Sequence, residues 1–156
     1  MTISTGGCQC GGVRFRIEGE LGEASICYCR MCQKATGGLF GPYVGAPFNA
    51  VIWTRGQPGR FQSSNKVPRG FYRDCGTPLT YEYGEGHISL ALGVMDKPPV
   101  LHLSEQLASP DRIADFGALA RLPEHPTDEP RAAAHLAGIV SFQHPDYDTA
   151  DWSPKT

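Results

Sequence analysis

Residues 7–15 read Gly-Cys-Gln-Cys-Gly-Gly-Val-Arg-Phe, so two cysteines directly precede a stretch in which apolar and charged side chains alternate. The alternation continues to Ile17 and predicts a β-strand with one buried face. A C-x-C pair lets one turn of backbone direct two sulfurs at a single tetrahedral metal ion. The sequence therefore predicts a short strand that follows a metal-binding turn.

The other four cysteines extend this pattern. Cys27, Cys29 and Cys32 lie within the stretch 27–32, and Cys75 directly precedes a glycine. Such spacing is typical of zinc ligands in proteins whose thiols stay reduced. A disulfide scaffold is the alternative, but 6 cysteines in 156 residues is a low density for one. We therefore favour metal ligation.

Composition and the N-terminal residues narrow the class of protein. The first residues show neither a basic stretch nor an apolar core, so we expect no secretory signal and a cytoplasmic protein. The net charge of −2 argues against general nucleic-acid binding, because proteins of that kind usually carry an excess of basic residues. No apolar run in the sequence is long enough to span a membrane. A length of 156 residues favours one domain.

The 19 glycines and 13 prolines favour many turns and short strands, and so a mainly β fold. We predict strands at 13–17, 39–44, 48–53, 60–64, 69–72, 79–83 and 87–92. Breaks are expected at 41–42 and 45–47, and residues 84–86 are expected to close a hairpin. Cys75 then lies in a turn between strands.

The last third of the chain predicts one or two short helices. Ser109 and Pro110 are typical of a helix start, and Ile113, Phe116 and Ala120 follow at helical spacing. A second helix is expected at 130–139, after a polar connection. We expect residues 96–156 to form a C-terminal extension that packs on a single zinc-binding domain covering 1–156.

Three cysteine blocks together resemble the glutathione-dependent formaldehyde-activating enzyme family, which includes centromere protein V. The blocks are residues 7–15, residues 27–32 followed by Gly37, and residues 75–79, which read Cys-Gly-Thr-Pro-Leu. The resemblance covers about residues 5–95. It implies a β-tent fold of small antiparallel sheets around zinc, with one or two zinc ions per chain. It also implies a carbon–sulfur lyase activity that joins formaldehyde to glutathione as S-(hydroxymethyl)glutathione.

The resemblance divides the cysteines between two zinc sites. The structural site is Cys8, Cys10 and Cys75, and the catalytic site is Cys27, Cys29 and Cys32. The spacing agrees with this division, because a metal joining Cys10 to Cys75 closes a loop of 75 − 10 = 65 residues and restrains much of the unfolded chain. The other trio is local, and three ligands with an open fourth position are typical of catalytic zinc.

One position departs from the family pattern. The family has Phe-Cys-x-x-Cys-Gly-Thr at the third block, whereas Tyr72 follows Phe71 here. The fourth ligand of the structural site is then water, the Asp74 carboxylate, the Tyr72 phenol, or absent because the site binds no metal. Tyrosine is a poor zinc ligand at neutral pH because its pKa is near ~10.

An open zinc site would polarise the aldehyde oxygen or hold the thiol of glutathione, or of another small thiol, as a thiolate. We favour the second role, because three thiolates reduce the Lewis acidity of zinc. The alternative is a non-catalytic zinc module that binds a protein partner.

Several other side chains are weaker candidates for the site. Arg30 and Lys34 adjoin the trio and could meet the carboxylates of glutathione, although exposed charges are more often simply solvated. Of the histidines, His102 or His144 could act as an acid or base. The aromatic side chains Phe40, Tyr43, Trp53 and Phe71 are expected in the core or in a pocket wall.

Overall fold

The computed structural model describes residues 2–84, 86–98 and 102–155, and the strands among them form two sheets. The strands are β1 (Ile3–Gly7), β2 (Arg14–Glu18), β3 (Ala24–Cys27), β4 (Gly41–Pro47), β5 (Val51–Arg55), β6 (Gly59–Gln62), β7 (Pro68–Phe71), β8 (Pro78–Tyr81), β9 (His87–Ala91) and β10 (Leu103–Leu107). The smaller sheet has the order β1-β2-β5 and the larger the order β10-β3-β4-β9-β8-β7-β6. All pairs are antiparallel except β10 with β3. The mainly β fold class is confirmed, and the larger sheet is mixed.

One apolar cluster lies between the sheets. Phe15 and Ile17 of β2, and Val13 just before it, are fully buried, as their alternation predicts. They share the cluster with Val44 and Leu90 from the larger sheet. Each such side chain stabilises the fold by about 1.5–3 kcal/mol. Cysteines of both groups belong to the same cluster. The candidate metal ligands are therefore attached to the best-packed part of the molecule.

Arg14 is buried, although the alternation of β2 predicts that it faces solvent. Its two terminal nitrogens donate to both carboxylate oxygens of Asp96 at 2.8 and 2.5 Å, and one also donates to Asp148 at 2.7 Å. A register shift between Arg14 and Phe15 interrupts the pairing of β2 with β5. The irregular pairing and the two carboxylates explain why this cation is only 3% exposed.

The predicted strands are mostly present with shifted ends, but the expected breaks at 41–42 and 45–47 are wrong. Gly41 and Pro42 begin β4 and pair with Cys27 and Ile26 of β3. β4 also runs through residues 45–47, and Pro47 pairs with His87 of β9. Pro47 is the last residue of β4, where a missing N–H interrupts no central ladder. The first helix, α1 (Arg30–Thr36), and the strands β1, β3 and β10 are additional to the prediction.

The helix expected from Ser109 is not an α-helix. Residues Ser109–Asp111 and Ala114–Arg121 form 3₁₀ turns, separated by extended backbone at Arg112 and Ile113. The predicted second helix is present as α2 (Pro130–Leu136). Phe116 of the 3₁₀ segment packs edge-to-face on Tyr28 at 5.2 Å between ring centroids. Across the described residues, no helix is both long and apolar enough to cross a membrane.

We expect Asp96→Asn to lower the free energy of unfolding by about 2–3 kcal/mol at pH 7, because it weakens a buried, bidentate ion pair. Burial opposes ionisation of Asp96, but its hydrogen bonds from Arg14 and Thr5 hold its pKa below the ordinary value. The stabilisation is therefore present above the unfolded pKa of about 4 and is lost as the pH falls through the folded pKa. Urea denaturation at pH 7 and pH 3 measures the difference.

The matched control is Asp148→Asn. Asp148 is the second carboxylate partner of Arg14, and its side chain is 48% exposed. We expect it to cost less than about 1 kcal/mol. Equal losses in the two variants, or a loss for Asp96→Asn that is independent of pH, would contradict this account of Arg14.

Candidate metal centres

The first group of sulfurs forms where β3 meets α1. Cys27 ends β3, Cys29 caps α1, and Cys32 lies in its first turn, so that the three sulfurs lie within 4.8 Å of one another. The backbone N–H of Cys32 donates to the sulfur of Cys29 at 3.4 Å. Cys32 is buried, while Cys27 and Cys29 are half-buried. The structure thus brings the predicted trio together at a point that solvent reaches.

The thiols of this trio differ in acidity. Burial raises the pKa of Cys27 to about 12. Burial also acts on Cys29, but the hydrogen bonds that its sulfur accepts, above all from the backbone of Cys32, bring its pKa below the ordinary value. Without a metal, one thiol of the trio is therefore predisposed to ionise and another to stay protonated. Binding of a divalent ion would release protons, because metal ligands bind as thiolates.

Arg69 of β7 contacts this group, and sequence reasoning missed it. Its guanidinium is buried and donates to the sulfur of Cys32 at 3.2 Å, to the hydroxyl of Tyr43 at 2.7 Å and to the hydroxyl of Ser63 at 2.9 Å. It also lies over the ring of Tyr81, 4.7 Å from the centroid. Burial raises the pKa of Tyr43 to about 12, so its phenol stays neutral.

The second group joins the turn after β1 to the turn before β8. The sulfurs of Cys8, Cys10 and Cys75 also lie within 4.8 Å of one another. Those of Cys8 and Cys10 are 3.7 Å apart, which matches the separation of about 3.8 Å between two sulfurs bound tetrahedrally to zinc at 2.3 Å. The backbone N–H of Val13 donates to Cys8 at 3.1 Å. This geometry and the donor set are compatible with zinc.

The thiols of the second group also differ. Burial raises the pKa of Cys8 to about 12. Burial acts in the same direction on Cys75, but hydrogen bonds from Thr77 and Cys10 lower its pKa to about 7. The Cys75 sulfur lies 3.2 Å from the hydroxyl of Thr77. Each group of cysteines therefore contains one thiol whose pKa lies below the ordinary value and one whose pKa lies well above it.

Tyr72 does not complete the second group. Its hydroxyl donates to the carboxylate of Asp74 at 2.7 Å, and its ring lies against Gly12. The hydrogen bond to that carboxylate raises the pKa of Tyr72 to about 12, so the phenol stays protonated. Among the described histidine, cysteine and acidic side chains, only Cys8, Cys10 and Cys75 join this group. Of the four alternatives for the fourth ligand, the Tyr72 phenol and the Asp74 carboxylate are therefore not in place.

Comparison with known proteins agrees with this geometry. Residues 3–110 match the model of the family described as glutathione-dependent formaldehyde-activating enzyme. The chain belongs to this family. The resemblance seen in the three cysteine blocks is thus confirmed.

A solved structure shares the fold of this family member. The crystal structure of a Rhodobacter sphaeroides protein, a structural-genomics target, aligns with a TM-score of 0.55 at 20% identity. The alignment covers 65% of this chain and 98% of that chain. A likeness at this identity supports the fold alone. No curated protein gives a significant match.

Beyond the family match, the C-terminal segment contacts the Cys8 turn. The backbone N–H of His144 donates to the carbonyl of Gln9 at 2.8 Å. The indole N–H of Trp152 donates to the carbonyl of Cys10, also at 2.8 Å. The ring of His144 is 4.7 Å from that of Trp152 and 2.9 Å from the hydroxyl of Thr149. These contacts fix the backbone that carries two of the sulfurs.

His144 therefore lies at the Cys8 group and not at the trio. Burial lowers its pKa, so the ring stays neutral at pH 7, and His102 is exposed. Arg30 and Lys34 are also exposed, and the guanidinium of Arg30 hydrogen-bonds Gln33. The structure gives none of the four a contact with the sulfurs of the trio.

The aromatic candidates divide between core and surface. Tyr43 is buried at the trio, and Trp53 packs edge-to-face on Phe15 at 5.6 Å. Phe71 packs on Phe61 at 5.9 Å. Phe40 lines an apolar groove of about 510 Å³ at the end of α1. Tyr43 and Phe71 line a smaller cavity of about 40 Å³ together with Arg69. Three of the four candidates therefore lie in pocket walls, and neither pocket is lined by a cysteine.

We expect Gly11→Ala to lower the free energy of unfolding of the protein by roughly 3 kcal/mol and to weaken zinc binding at the Cys8 group. Gly11 has φ 75°, and a Cβ there would collide with the rings of His144 and Trp152. The left-handed backbone costs about 1–2 kcal/mol with alanine, and the overpacking adds to it. Urea denaturation with measurement of bound zinc checks both effects.

Gly138→Ala is the matched control, because Gly138 has φ 80° and a Cβ added there would meet no atom within 4 Å. It should show the backbone cost alone, about 1–2 kcal/mol, with unchanged zinc. If the two variants lost equal stability, the packing of the C-terminal segment against the Cys8 turn would not contribute.

Proposed function

We propose that the protein is a zinc-dependent carbon–sulfur lyase, similar to S-(hydroxymethyl)glutathione synthase. Its substrates would be glutathione, or another small thiol, and formaldehyde or a similar small aldehyde. The observation that carries the proposal is the convergence of Cys27, Cys29 and Cys32, which no further histidine, cysteine, aspartate or glutamate joins among the residues that the structure describes. The residues Cys27 and Cys29 are half-buried, which would let a small molecule approach the position that the three sulfurs leave open.

Three sulfurs with one free position suit a metal that binds and exchanges a further ligand. A zinc ion at this group would supply a coordination position that stabilises a bound thiolate at neutral pH. The chain's own role is to hold the three sulfurs in place through the end of β3 and the first turn of α1. Addition of a thiol to an aldehyde forms one carbon–sulfur bond and moves the thiol proton to the carbonyl oxygen, so the reaction needs no oxidant.

We assign a structural role to Cys8, Cys10 and Cys75. A second zinc ion at this group would join the turn after β1 to the turn before β8, while the C-terminal segment packs on the same turn. On this view residues 1–156 form a single zinc-binding domain with residues 96–156 as its extension. All six cysteines are free, which supports a cytoplasmic location because thiols remain reduced there.

Serine variants of the six cysteines test the division of roles. At Cys27, Cys29 or Cys32 we expect loss of the more exchangeable zinc and of glutathione-dependent formaldehyde consumption, with little change in melting temperature, because the trio restrains only residues 27–32. At Cys8, Cys10 or Cys75 we expect lower melting temperatures first, because these residues join distant segments. Zinc content, melting temperature and formaldehyde consumption are measured for all six variants and the wild type.

The uncatalysed addition of glutathione to formaldehyde sets the baseline for these assays. Wild-type protein that retains zinc but adds nothing to this baseline would favour the non-catalytic module that binds a protein partner. Full activity in the Cys29→Ser variant would overturn the assignment of the trio. Wild-type protein prepared with zinc that holds none would overturn the enzyme proposal itself.

We expect Tyr72→Cys to increase both the zinc retained at the Cys8 group and the melting temperature, because it supplies the sulfur that the family pattern places there. The binding energy of structural zinc reaches about 10–16 kcal/mol and adds to folding stability, so even a modest gain in affinity is measurable. Thermal melts with and without excess zinc, together with zinc titration, give the result.

The control is Tyr72→Phe, which keeps the ring on Gly12 and removes only the hydrogen bond to Asp74. It should leave zinc retention unchanged. If Tyr72→Cys bound no additional zinc and melted at a lower temperature, the tyrosine would be a packing residue of a site that no longer takes a metal, since loss of the ring leaves a cavity.

A further inference from the structure

Arg69 is a buried cation beside the trio. It is 3% exposed, and its donors reach one sulfur and two hydroxyl groups, namely Cys32, Tyr43 and Ser63. The two hydroxyl groups are neutral and offer dipoles, not charge. The ring of Tyr81 below the guanidinium adds a weak cation–π attraction.

In the part of the chain that the structure describes, no carboxylate forms an ion pair with Arg69. The other buried arginine, Arg14, is held by two carboxylates, Asp96 and Asp148. A guanidinium cannot lose its proton at any ordinary pH, and an uncompensated buried charge is costly. Among the described groups that hydrogen-bond Arg69, the sulfur of Cys32 is the one suited to carry the balancing negative charge.

The charges balance when a divalent ion occupies the trio. Three thiolates and one divalent ion carry one net negative charge, which the guanidinium of Arg69 offsets. A thiolate as fourth ligand would add a second negative charge, and the same cation would reduce the repulsion. The contact with the sulfur of Cys32 places this cation in direct contact with the group.

We propose that Arg69 is the counter-ion of a divalent metal centre at Cys27, Cys29 and Cys32, and that its charge favours an anionic thiolate as the fourth ligand. This inference rests on the proposed function, because it requires a metal at the trio. Arg69 is a positioning residue and acts through Cys32 and the bound ligand.

The experiment measures the zinc dissociation constant of the trio at pH 7 by competition with a chromophoric chelator. Comparison of wild type with Cys29→Ser first identifies the zinc that belongs to the trio. We expect Arg69→Met to raise this dissociation constant at least tenfold, as contacts around a metal's ligands commonly contribute 10–100-fold. Arg69→Lys, which keeps the charge, should raise it less than about tenfold.

A second readout addresses the fourth ligand. In cobalt-substituted protein, glutathione binding at the trio changes the sulfur-to-cobalt absorption bands. Arg69→Met should raise the dissociation constant of glutathione, which binds as a thiolate, by a larger factor than that of the neutral ligand imidazole. We expect the two factors to differ about tenfold or more. A purely structural role of Arg69 would weaken both ligands equally.

Arg60→Met is the matched control, because Arg60 lies on the neighbouring strand β6 opposite Gly70 and pairs with Glu82 at the surface. It should leave the dissociation constant unchanged. The counter-ion role is wrong if the zinc dissociation constant of Arg69→Met lies within tenfold of the wild-type value, or if that of Arg69→Lys rises as much as that of Arg69→Met. If Arg69→Met does not fold, Arg69→Lys alone is measured. A rise of less than tenfold then supports the role, and a larger rise contradicts it. If wild type and Cys29→Ser retain the same zinc, the proposed function fails instead.

Discussion

The convergence of Cys8, Cys10 and Cys75 is the constraint on which the rest of the structure depends. It brings the turn after β1 next to the turn before β8, and so it links the smaller sheet to the larger one within the shared core. The N–H of Val13 completes the turn by donating to the Cys8 sulfur. β2, with its fully buried residues, begins immediately afterwards. Local sulfur geometry and global sheet packing therefore stabilise each other.

The two cysteine groups differ in what surrounds them, although each offers three sulfurs. The Cys8 group is covered by the C-terminal segment through Trp152 and His144 and is attached to the core. The trio at 27–32 contacts a buried cation and includes two half-buried residues, whereas the Cys8 group includes one, Cys75. A site enclosed by backbone contacts suits a structural ion, whereas a partly open, charge-compensated site suits exchange of ligands. The different surroundings support the different roles proposed for them.

Sequence reasoning predicted the mainly β class from composition and the strand at 13–17, observed at Arg14–Glu18, from the alternation of side chains. The membership of the two cysteine groups followed from the resemblance to the family, and the spacing agreed with it. Sequence reasoning missed Arg69, because the contact with Cys32 arises only when the strand order β3-β4-β9-β8-β7 brings distant strands onto one sheet. It placed Arg14 on the solvent face, because its carboxylate partners lie 82 and 134 residues away. Helical spacing from Ser109 was misleading, since extended backbone at Arg112 and Ile113 separates two 3₁₀ segments and so prevents one continuous helix.

The contacts of the C-terminal segment have a consequence for the order of events during synthesis. Trp152 hydrogen-bonds the carbonyl of Cys10 across 142 residues, and Asp148 binds Arg14 across 134. A ribosome releases the chain from its N-terminus at about 5–20 residues per second. The cysteine turn and the start of β2 therefore leave the ribosome well before Trp152 and Asp148, their partners from the C-terminal segment. Until those two residues emerge, the nascent chain carries the Cys8 turn without the contacts that fix its backbone in the folded protein.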